Sequence, residues 1–469
     1  MAADIGLIGL GTMGAALALN IADNGFSVAV YNRTTSVTDD FVAGADDLAP
    51  MLHRAETLEA LVDGLAQPRA IILMVPAGRI VDQMIETLRP LLDDDDLIID
   101  AGNANFRDTR RRAEAAEAAG VPFLGIGVSG GEEGARFGPS IMGGGPRNAW
   151  DRVEPVLTAI SAKFGDVPCA TWMGKDGAGH FVKTVHNGIE YADMQMIAEV
   201  YGIMRDGLGM DAGEIGDVFG RWNAGPLKSY LIEISGDVSK AADPVTGAPM
   251  IDMILDRAGQ KGTGRWTAIE ALHLAAPATA IEAAVAARNL SSRLDERRAG
   301  EEIFGAGPRE IAGGISLEAL EKALLAGKIA CYAQGFGLLT AASDEFGWEL
   351  PLPDVARVWR AGCIIRSAML DDMASALSDD PERNLMFQPE FAARLKTSHS
   401  GLREVVAVSA LNGHAAPALS AALAYFDAMR TGRGTANMIQ AQRDFFGAHS
   451  FERIDAEGAH HGPWGNGAQ

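Results

Sequence analysis

Five polar side chains recur at helical spacing in the stretch HFVKTVHNGIEYADMQ (180–195). They are Lys183, His186, Asn187, Glu190 and Tyr191. The spacing i, i+3, i+4, i+7 and i+8 places all five on one face of an α-helix. In most soluble proteins that spacing marks the apolar, buried face, so these polar groups either face water or face a polar ligand.

Lys183 and Glu190 could together move protons along such a ligand. Seven helical residues span about 10 Å, the length of a sugar acid. Burial disfavours the ammonium form of lysine, so Lys183 could accept a hydroxyl proton while hydride leaves the same carbon. Glu190 could return a proton to another carbon. The alternative is a solvated helix face on which the two charges are unrelated.

The elements that must position this helix follow from the hydrophobic pattern. Short apolar runs alternate with helical segments in the first third of the chain, which predicts a parallel, doubly wound sheet. The predicted strands are DIGLIGL (4–10), SVAVYN (27–32), AIILMVP (70–76), LIIDAG (97–102) and PFLGIGV (122–128). From about residue 178 to about residue 430, long Ala/Leu/Ile/Met-rich segments of helical period predict an all-α region.

The stretch GLGTMG (9–14) follows the first predicted strand and opens a helix, as in a dinucleotide-binding fingerprint. Gly9 allows the tight turn, Gly11 lets the backbone approach a pyrophosphate, and Gly14 allows close packing of helix on sheet. The helix N-terminus then offers free N–H groups to the phosphates. The alternative is a glycine-rich turn without a ligand.

The residues after the second predicted strand indicate which dinucleotide binds. An NAD site usually has an acidic residue there, whereas this chain has Asn32, Arg33 and Thr34. Arg33 can pair with a 2′-phosphate through two N–H groups, so the sequence favours NADP. An arginine at this position could equally be a solvated surface residue.

Two later segments follow predicted strands and therefore belong to the same edge of the sheet. Asn103 could contact both nicotinamide and substrate. Within GVSGGEEGARFGPSIMGGG (127–145), the successive residues Ser129, Gly130 and Gly131 offer a hydroxyl and backbone N–H groups that suit a carboxylate. A flexible loop that needs glycine only for its turns is the alternative.

Composition excludes several classes of protein. A net charge of −22 over 469 residues argues against nucleic-acid or anionic-membrane partners. The tract 271–287 is interrupted by His, Pro and Glu and is a poor membrane span. Three distant cysteines without a C-x-x-C pair predict neither a disulfide framework nor a zinc site, and with no signal peptide they indicate a cytoplasmic protein.

Further polar residues occur in distinctive local patterns far from the helix. Lys261 and Thr263 stand between glycines in AGQKGTGRWT, a plausible phosphate grip. Arg288 lies in VAARNLSSR, and Arg443 and His449 lie in QAQRDFFGAHS. Each alone is more often structural, and single-sequence reasoning does not bring them together.

Taken in order, these motifs resemble those of the 6-phosphogluconate dehydrogenase family from end to end. The matching segments are GLGTMG, NRT, IIDAGN, GVSGGEEGARFGPSIM, GAGHFVKTVHNGIEYADMQ, WN…LIEI, ILDRAGQKGTGRWT, ARNLSSR, KIACYAQGF, EFGW, WRAGCIIRS and IQAQRDFFGAH. Many long motifs in the same order are far more specific than a single fingerprint.

The resemblance implies an α/β fold: a Rossmann-type doubly wound sheet, then a large all-α domain and a C-terminal tail. We expect an NADP-binding domain at 1–178, a helical substrate and dimerisation domain at 179–435, and a tail at 436–469 that reaches the partner subunit. The final stretch AEGAHHGPWGNGAQ has almost no apolar periodicity, and its composition alone predicts disorder. The resemblance also implies a cytosolic homodimer with shared active sites.

The resemblance further implies oxidation of C3 of 6-phospho-D-gluconate by NADP, loss of CO₂ and protonation at C1, giving ribulose 5-phosphate in the pentose phosphate pathway without a metal. Lys183 is then the base and later the acid, and Glu190 protonates C1. The cofactor residues are Gly9, Leu10, Gly11, Thr12, Met13, Gly14, Asn32, Arg33, Thr34, Val75, Pro76, Ala77 and Asn103. The substrate residues are Asn103, Ser129, Gly130, Gly131, His186, Asn187, Tyr191, Lys261, Thr263 and Arg288, with Arg443 and His449 from the other subunit.

Two departures from the family pattern concern the cofactor. Many NADP-using members have alanine at the position of Gly11, and Pro76 replaces a lysine and removes a backbone donor. Some use of NAD is therefore conceivable. The rival interpretations are another β-hydroxyacid dehydrogenase acting on a different small hydroxy acid, and a non-catalytic NADP-binding protein.

Overall fold

The computed structural model describes residues 2–307 and 310–464, which form two compact units. The first unit runs up to Ala422 and the second begins at Leu423. The strands are β1 (Ile5–Ile8), β2 (Val28–Tyr31), β3 (Leu52–Arg54), β4 (Ala70–Leu73), β5 (Leu97–Asp100), β6 (Phe123–Ser129), β7 (Ser140–Gly144), β8 (Lys163–Phe164), β9 (Val167–Pro168), β10 (Ala170–Gly174), β11 (Phe451–Glu452) and β12 (Ala459–His460). The α-helices are α1 (Thr12–Asp23), α2 (Thr35–Ala43), α3 (Leu58–Asp63), α4 (Arg79–Leu88), α5 (Phe106–Ala118), α6 (Gly131–Phe137), α7 (Arg147–Ile160), α8 (Ala178–Gly202), α9 (Ala212–Asn223), α10 (Tyr230–Lys240), α11 (Thr263–His273), α12 (Thr279–Ser291), α13 (Leu294–Phe304), α14 (Leu317–Phe346), α15 (Leu352–Val358), α16 (Met369–Asp379), α17 (Pro389–Leu411), α18 (Pro417–Met429) and α19 (Ala436–Gly447).

A single eight-stranded sheet in the order β10-β7-β6-β5-β4-β1-β2-β3 forms the N-terminal part of the first unit. All neighbouring strands are parallel except β6 and β7, which are antiparallel. Strands β1, β4 and β5 are fully buried, which accounts for their continuous apolar sequences. The predicted doubly wound, Rossmann-type sheet is confirmed.

All five predicted strands are present, and three strands of this sheet were not predicted. Strand β3 has only three residues, one of them exposed. Strands β7 and β10 carry glycines, which are unusual in strands. The glycine-rich stretch 127–145, for which a flexible loop is the alternative prediction, instead contains the end of β6, helix α6 and strand β7.

The all-α region predicted from about residue 178 is confirmed, and α8 and α14 lie at its centre. Glycines let the two helices approach: a Cβ on Gly335 of α14 would lie 2.5 Å from Ile189 Cδ1 of α8. Helix α14 is long and apolar enough to cross a membrane, but 83% of its most apolar window is buried inside the protein. That burial is typical of the core helix of a folded domain.

The second unit contains α19 and a two-stranded antiparallel hairpin of β11 and β12. The stretch 456–469, for which composition predicts disorder, contributes β12 and forms hydrogen bonds as far as Trp464. Its last residues, 465–469, lie outside the described part of the chain. The described part of this stretch is therefore ordered by hydrogen bonds, which its composition does not predict.

Candidate active site

Helix α8 carries the predicted polar face and lies directly on the sheet because glycines leave room for it. A Cβ on Gly127 of β6 would lie 2.4 Å from Lys183 Cβ, and one on Gly179 would lie 2.4 Å from Met142 O. Such contacts are far inside van der Waals distance, so these positions need glycine. The close approach brings α8 beside the carboxyl end of β6, where Ser129 is the last strand residue.

Lys183 is buried and anchored to that strand end. Its side-chain Nζ donates to Ser129 Oγ at 2.9 Å and lies 3.5 Å from His186 Nδ1. Desolvation lowers the pKa of Lys183, and the negative charge of Glu190 partly opposes this effect. The neutral amine, which can accept a proton, therefore forms at a pH closer to neutral than in a solvated lysine.

His186 is fully buried and serves as a neutral hydrogen-bonding group. Its Nδ1 lies 3.0 Å from Asn187 Oδ1, and its Nε2 lies 3.4 Å from Ser129 Oγ. Desolvation, and next the charge of Lys183, hold the pKa of His186 well below its usual value. With the proton on Nδ1 donated to Asn187, Nε2 is left to accept from the Ser129 hydroxyl.

Glu190 lies two turns further along the same face and is partly open to solvent. Its Oε2 is 3.8 Å from His186 Nδ1. Desolvation raises the pKa of Glu190, while the charges of Lys183 and Arg288 act in the opposite direction. A lowered lysine pKa and a raised carboxyl pKa on one face are the arrangement expected for a base and an acid that work in one reaction.

Tyr191 is the point at which three helices meet. The Arg288 guanidinium of α12 stacks on its ring, with Cζ 3.7 Å from the ring centroid. Gly264 of α11 lies against the same ring, because a Cβ there would come within 2.4 Å of Tyr191 Cδ2. Thr263, the residue before Gly264, therefore lies near Tyr191 and Arg288, although the sequence separates them widely.

The segment before α11 is fastened to the end of α12. Ala258 N donates to Ser291 Oγ at 3.0 Å, and Gln260 Nε2 donates to Asn289 Oδ1 at 2.6 Å. Lys261 follows directly and is exposed, whereas Thr263 is buried at the first turn of α11. Ammonium, hydroxyl and guanidinium groups are thus collected at one end of the polar face, which suits a phosphate.

The glycine loop after β1 has the geometry of a dinucleotide-binding turn. Gly9 has a φ of +101°, and a Cβ on it would lie 2.5 Å from Met74 O. A Cβ on Gly14 would lie 1.9 Å from Gly9 O, so helix and strand require glycine there. Gly11 opens onto free space, with no atom within 4 Å of a Cβ position. An alanine at this position would therefore meet no protein atom.

Asn32 supports this loop from the end of β2. Its Oδ1 accepts from Leu10 N at 3.2 Å, and its Nδ2 donates to Thr34 O at 3.3 Å. Arg33 and Thr34 are exposed at the carboxyl edge of the sheet. The side chain of Asn32 thus supports the glycine loop itself, a role that its sequence position did not indicate. Arg33 has the exposed cationic side chain that could face a 2′-phosphate.

The remaining predicted cofactor positions follow β1, β4 and β5 at the same edge. Thr12 and Met13 start α1; Pro76, Ala77 and Asn103 are exposed, and Val75 is partly buried. Gly130 and Gly131 follow Ser129 with φ of +115° and +66°. A Cβ on Gly130 would also lie 2.6 Å from Gly362 O, so this glycine is needed for packing whatever it binds.

Arg443 and His449 belong to the second unit, and both are exposed. Arg443 Nη1 donates to Gln440 Oε1 at 3.0 Å, and the His449 ring lies against Phe446. The other candidate residues all belong to the first unit.

Two ion pairs that link helices distant in the sequence were not predicted. Arg107, at the start of α5, donates from Nε and Nη2 to both oxygens of Glu270 on α11, at 2.8 and 2.6 Å. This bidentate bridge joins helix α5, which begins shortly after Asn103, to helix α11, which begins at Thr263. Because its partners are 163 residues apart, no local pattern could have indicated it.

The second pair lies beside the predicted polar face, because Asp193 follows Glu190 by three residues on α8. Lys328 Nζ of α14 is 2.8 Å from Asp193 Oδ1 of α8, and both side chains are almost completely buried. Lys328 also donates to Ser229 Oγ at 3.3 Å. A single lysine inside the apolar run ALLAGKIACYA was the available sequence signal, since a buried lysine needs a partner.

Two family models match the chain and together cover nearly all of it. The NAD binding domain of 6-phosphogluconate dehydrogenase matches residues 4–174. The C-terminal domain of 6-phosphogluconate dehydrogenase matches residues 179–464.

Full-length relatives are similar along the whole chain. An NAD(+)-dependent decarboxylating 6-phosphogluconate dehydrogenase of Bacillus subtilis is 46% identical over 467 residues, covering 98% of this chain and 99% of its own. The NADP(+)-dependent enzyme of the same organism is also 46% identical over 464 residues, covering 98% of each chain. The solved structure of Plasmodium falciparum 6-phosphogluconate dehydrogenase, studied with its cofactor NADP+ and with 6-phosphogluconate, has a TM-score of 0.95 and 40% identity, covering 98% of this chain and 100% of that one.

Proposed function

Because this chain belongs to the 6-phosphogluconate dehydrogenase family, we propose that it converts 6-phospho-D-gluconate to D-ribulose 5-phosphate and CO₂ while reducing NADP. One observation carries the proposal: Lys183 and Glu190 lie on one face of α8 with pKa values displaced in opposite directions by burial. An oxidation followed by protonation at another carbon needs this combination of base and acid.

In the first step, neutral Lys183 accepts the proton of the C3 hydroxyl while hydride leaves C3. NADP supplies the acceptor for that hydride when bound at the carboxyl edge of the sheet. Ser129 Oγ, 2.9 Å from Lys183 Nζ, orients the amine toward the substrate. His186 is neutral and adds no second cation, so the proton taken from the C3 hydroxyl, with its positive charge, stays on Lys183.

In the later steps, the ammonium of Lys183 polarises the new C3 carbonyl, which stabilises the enediolate left by departing CO₂. Glu190, whose pKa is raised by desolvation, then delivers a proton to the carbon that becomes C1 of ribulose 5-phosphate. Asn103, Ser129 and the two following glycines bind the carboxylate, and His186 and Asn187 bind hydroxyl groups. Tyr191, Lys261, Thr263 and Arg288 bind the phosphate.

NADP is the proposed cofactor because Arg33 lies at the end of β2, where an NAD site would have a carboxylate. The two Bacillus subtilis relatives are equally similar, so identity gives no preference between the dinucleotides. Replacing Arg33 with glutamine should raise KM for NADP by roughly 10-fold, the value of one charged hydrogen bond, and leave KM for NAD unchanged. Equal changes in both constants would contradict this role.

The active enzyme is proposed to be a cytoplasmic homodimer in which Arg443 and His449 of each chain bind phosphate in the other subunit's site. Their position in a separate compact unit supports this assignment. Sedimentation and the kinetics of a chain truncated after residue 440 test it. A dimer of unchanged stability with unchanged KM would contradict it.

A coupled assay of NADPH formation and CO₂ release with 6-phosphogluconate tests the reaction itself. One CO₂ per NADPH is expected. Hydride transfer without CO₂, or equal turnover of gluconate, would indicate a different β-hydroxyacid dehydrogenase. Cofactor binding without turnover would indicate a non-catalytic protein.

A further inference from the structure

The buried carboxylate of Asp444 in α19 binds four groups from the chain that follows it. Its Oδ1 accepts from Ser450 N at 2.9 Å and lies 2.6 Å from His461 Nδ1. Its Oδ2 accepts from Gly462 N at 2.9 Å and from Trp464 Nε1 at 2.7 Å. We call these five residues the Asp444 cluster.

The cluster explains how the terminal stretch is ordered without an apolar core. The backbone N–H of Gly462, followed by Trp464 and His461, holds the pKa of Asp444 well below its usual range. The carboxylate is therefore charged at any pH at which the protein works. Three of its four partners, His461, Gly462 and Trp464, belong to HHGPWG, a motif to which the proposed function assigns no role.

The same carboxylate fixes the turn that carries His449. The residues on either side of His449, Ala448 and Ser450, have φ of +50° and +55°, values that residues other than glycine rarely adopt. Three hydrogen bonds hold this turn: Ala448 N donates to Asp444 O at 2.9 Å, Ser450 N donates to Asp444 Oδ1 at 2.9 Å, and Gln440 Nε2 donates to Ser450 O. Without them, the turn would relax and His449 would move.

Arg443 and His449 each directly precede a member of the cluster. Arg443 precedes Asp444 in α19, and His449 precedes Ser450. His449 and Trp464 also line one cavity of about 850 Å³ within the second unit. The two exposed phosphate-binding candidates are thus held in place by backbone that hydrogen-bonds to the buried Asp444.

We infer that Asp444 is a positioning residue that sets Arg443 and His449 for the phosphate of the substrate. The inference rests on the proposed function. Asp444 does not touch the substrate: it fixes the backbone from which the two phosphate-binding side chains project. Its effect should be confined to recognition of the phosphate.

Asp444→Asn is the direct test, because an amide keeps the size of the side chain but presents NH₂ to one pair of donors. Initial rates are compared for 6-phosphogluconate and for gluconate, which lacks only the phosphate. We expect kcat/KM for 6-phosphogluconate to fall about 10- to 100-fold, mainly through KM, as for loss of a charged hydrogen bond. The smaller kcat/KM for gluconate should not change, so the preference for the phosphate collapses.

Two further variants calibrate the result. Arg443→Ala should reproduce the collapse, since it removes a phosphate ligand directly. Asp455→Asn is the matched control, because Asp455 lies in the same unit in an exposed pair with Arg453 and should change neither substrate. Trp464→Phe removes a single donor and should give a smaller shift in the same direction, which keeps the test valid if Asp444→Asn does not fold.

Equal losses on both substrates would show that Asp444 has only a structural role and would overturn the inference. Unchanged phosphate preference in folded Asp444→Asn, or in Trp464→Phe if the former is unfolded, would also overturn it. A wild-type enzyme without preference for the phosphate would instead refute the proposed function, and the two failures are thus distinguishable.

Discussion

Helix α8 in the first unit and the Asp444 cluster in the second hold functional side chains in opposite ways. On α8 the functional groups themselves are buried, and desolvation changes their pKa values. In the second unit the functional groups are exposed, and the buried group is the carboxylate behind them. Proton transfer needs altered acidity, whereas phosphate recognition needs only charges at fixed positions.

The largest effect should come from removing the buried base. Lys183→Met should lower kcat roughly 10²- to 10⁴-fold, because it removes the base, and the other group on this face that contacts Ser129, His186, has a pKa held well below its usual value. Binding of NADP, followed by fluorescence titration, should be unchanged. Lys175→Met, at an exposed lysine just before α8, is the control. Equal losses in both variants would contradict the distinction between buried and exposed groups.

Glu190→Gln should lower kcat by about 10- to 1000-fold, because the amide has no proton to deliver to C1. Oxidation should be less affected than product formation, so rapid mixing should reveal a burst of NADPH. Glu59→Gln on α3, an exposed carboxylate far along the chain, should behave as wild type. Normal steady-state turnover in Glu190→Gln would refute the assigned acid.

The same variant sharpens the electrostatic part of the comparison. The wild-type plot of kcat/KM against pH should be bell-shaped, since the enzyme needs neutral Lys183 and protonated Glu190. In Glu190→Gln only Lys183 titrates, so activity should rise with pH to a plateau. The negative charge that raises the pKa of Lys183 is also gone, so this rise should occur at lower pH than the ionisation of Lys183 in wild type. A persistent bell would contradict the assignment.

The smallest effect expected concerns the bridge between sheet and helices. Glu270→Gln should lower the free energy of unfolding by about 1–3 kcal/mol, because it weakens a bidentate pair whose carboxylate is buried and whose arginine is half exposed. Glu296→Gln, in the exposed pair with Arg293, should change it by less than about 0.5 kcal/mol. Thermal unfolding monitored by circular dichroism measures both. Equal shifts would mean that the bridge contributes no more than a surface pair.

The sequence predicted local features well and distant partners poorly. The face of α8, the glycine loop after β1 and the strand that precedes Asn103 were predictable, because each depends on periodicity or turn geometry within a few residues. The glycine-containing strands β7 and β10 were missed, since tertiary pairing and not local propensity makes them strands.

The convergence of Thr263 and Arg288 around Tyr191 needed the packed helices, as did the bridge between Arg107 and Glu270. The second unit gives the sharpest contrast: HHGPWG has no hydrophobic pattern, so composition predicts disorder. The stretch is ordered by hydrogen-bond donors that converge on the carboxylate of Asp444, and a hydropathy pattern does not show which donors meet which acceptor.

The buried pair of Lys328 and Asp193 fixes how helix α8 is rotated about its own axis. Successive residues of a helix are turned by about 100°, so a slip of one residue would withdraw Asp193 from Lys328 and turn Lys183 away from Ser129. An apolar helix interface tolerates such slippage, since one methyl group can replace another. Two opposite charges that are buried together do not tolerate slippage, because each would then be buried without its partner. The pair therefore holds α8 in one orientation about its own axis.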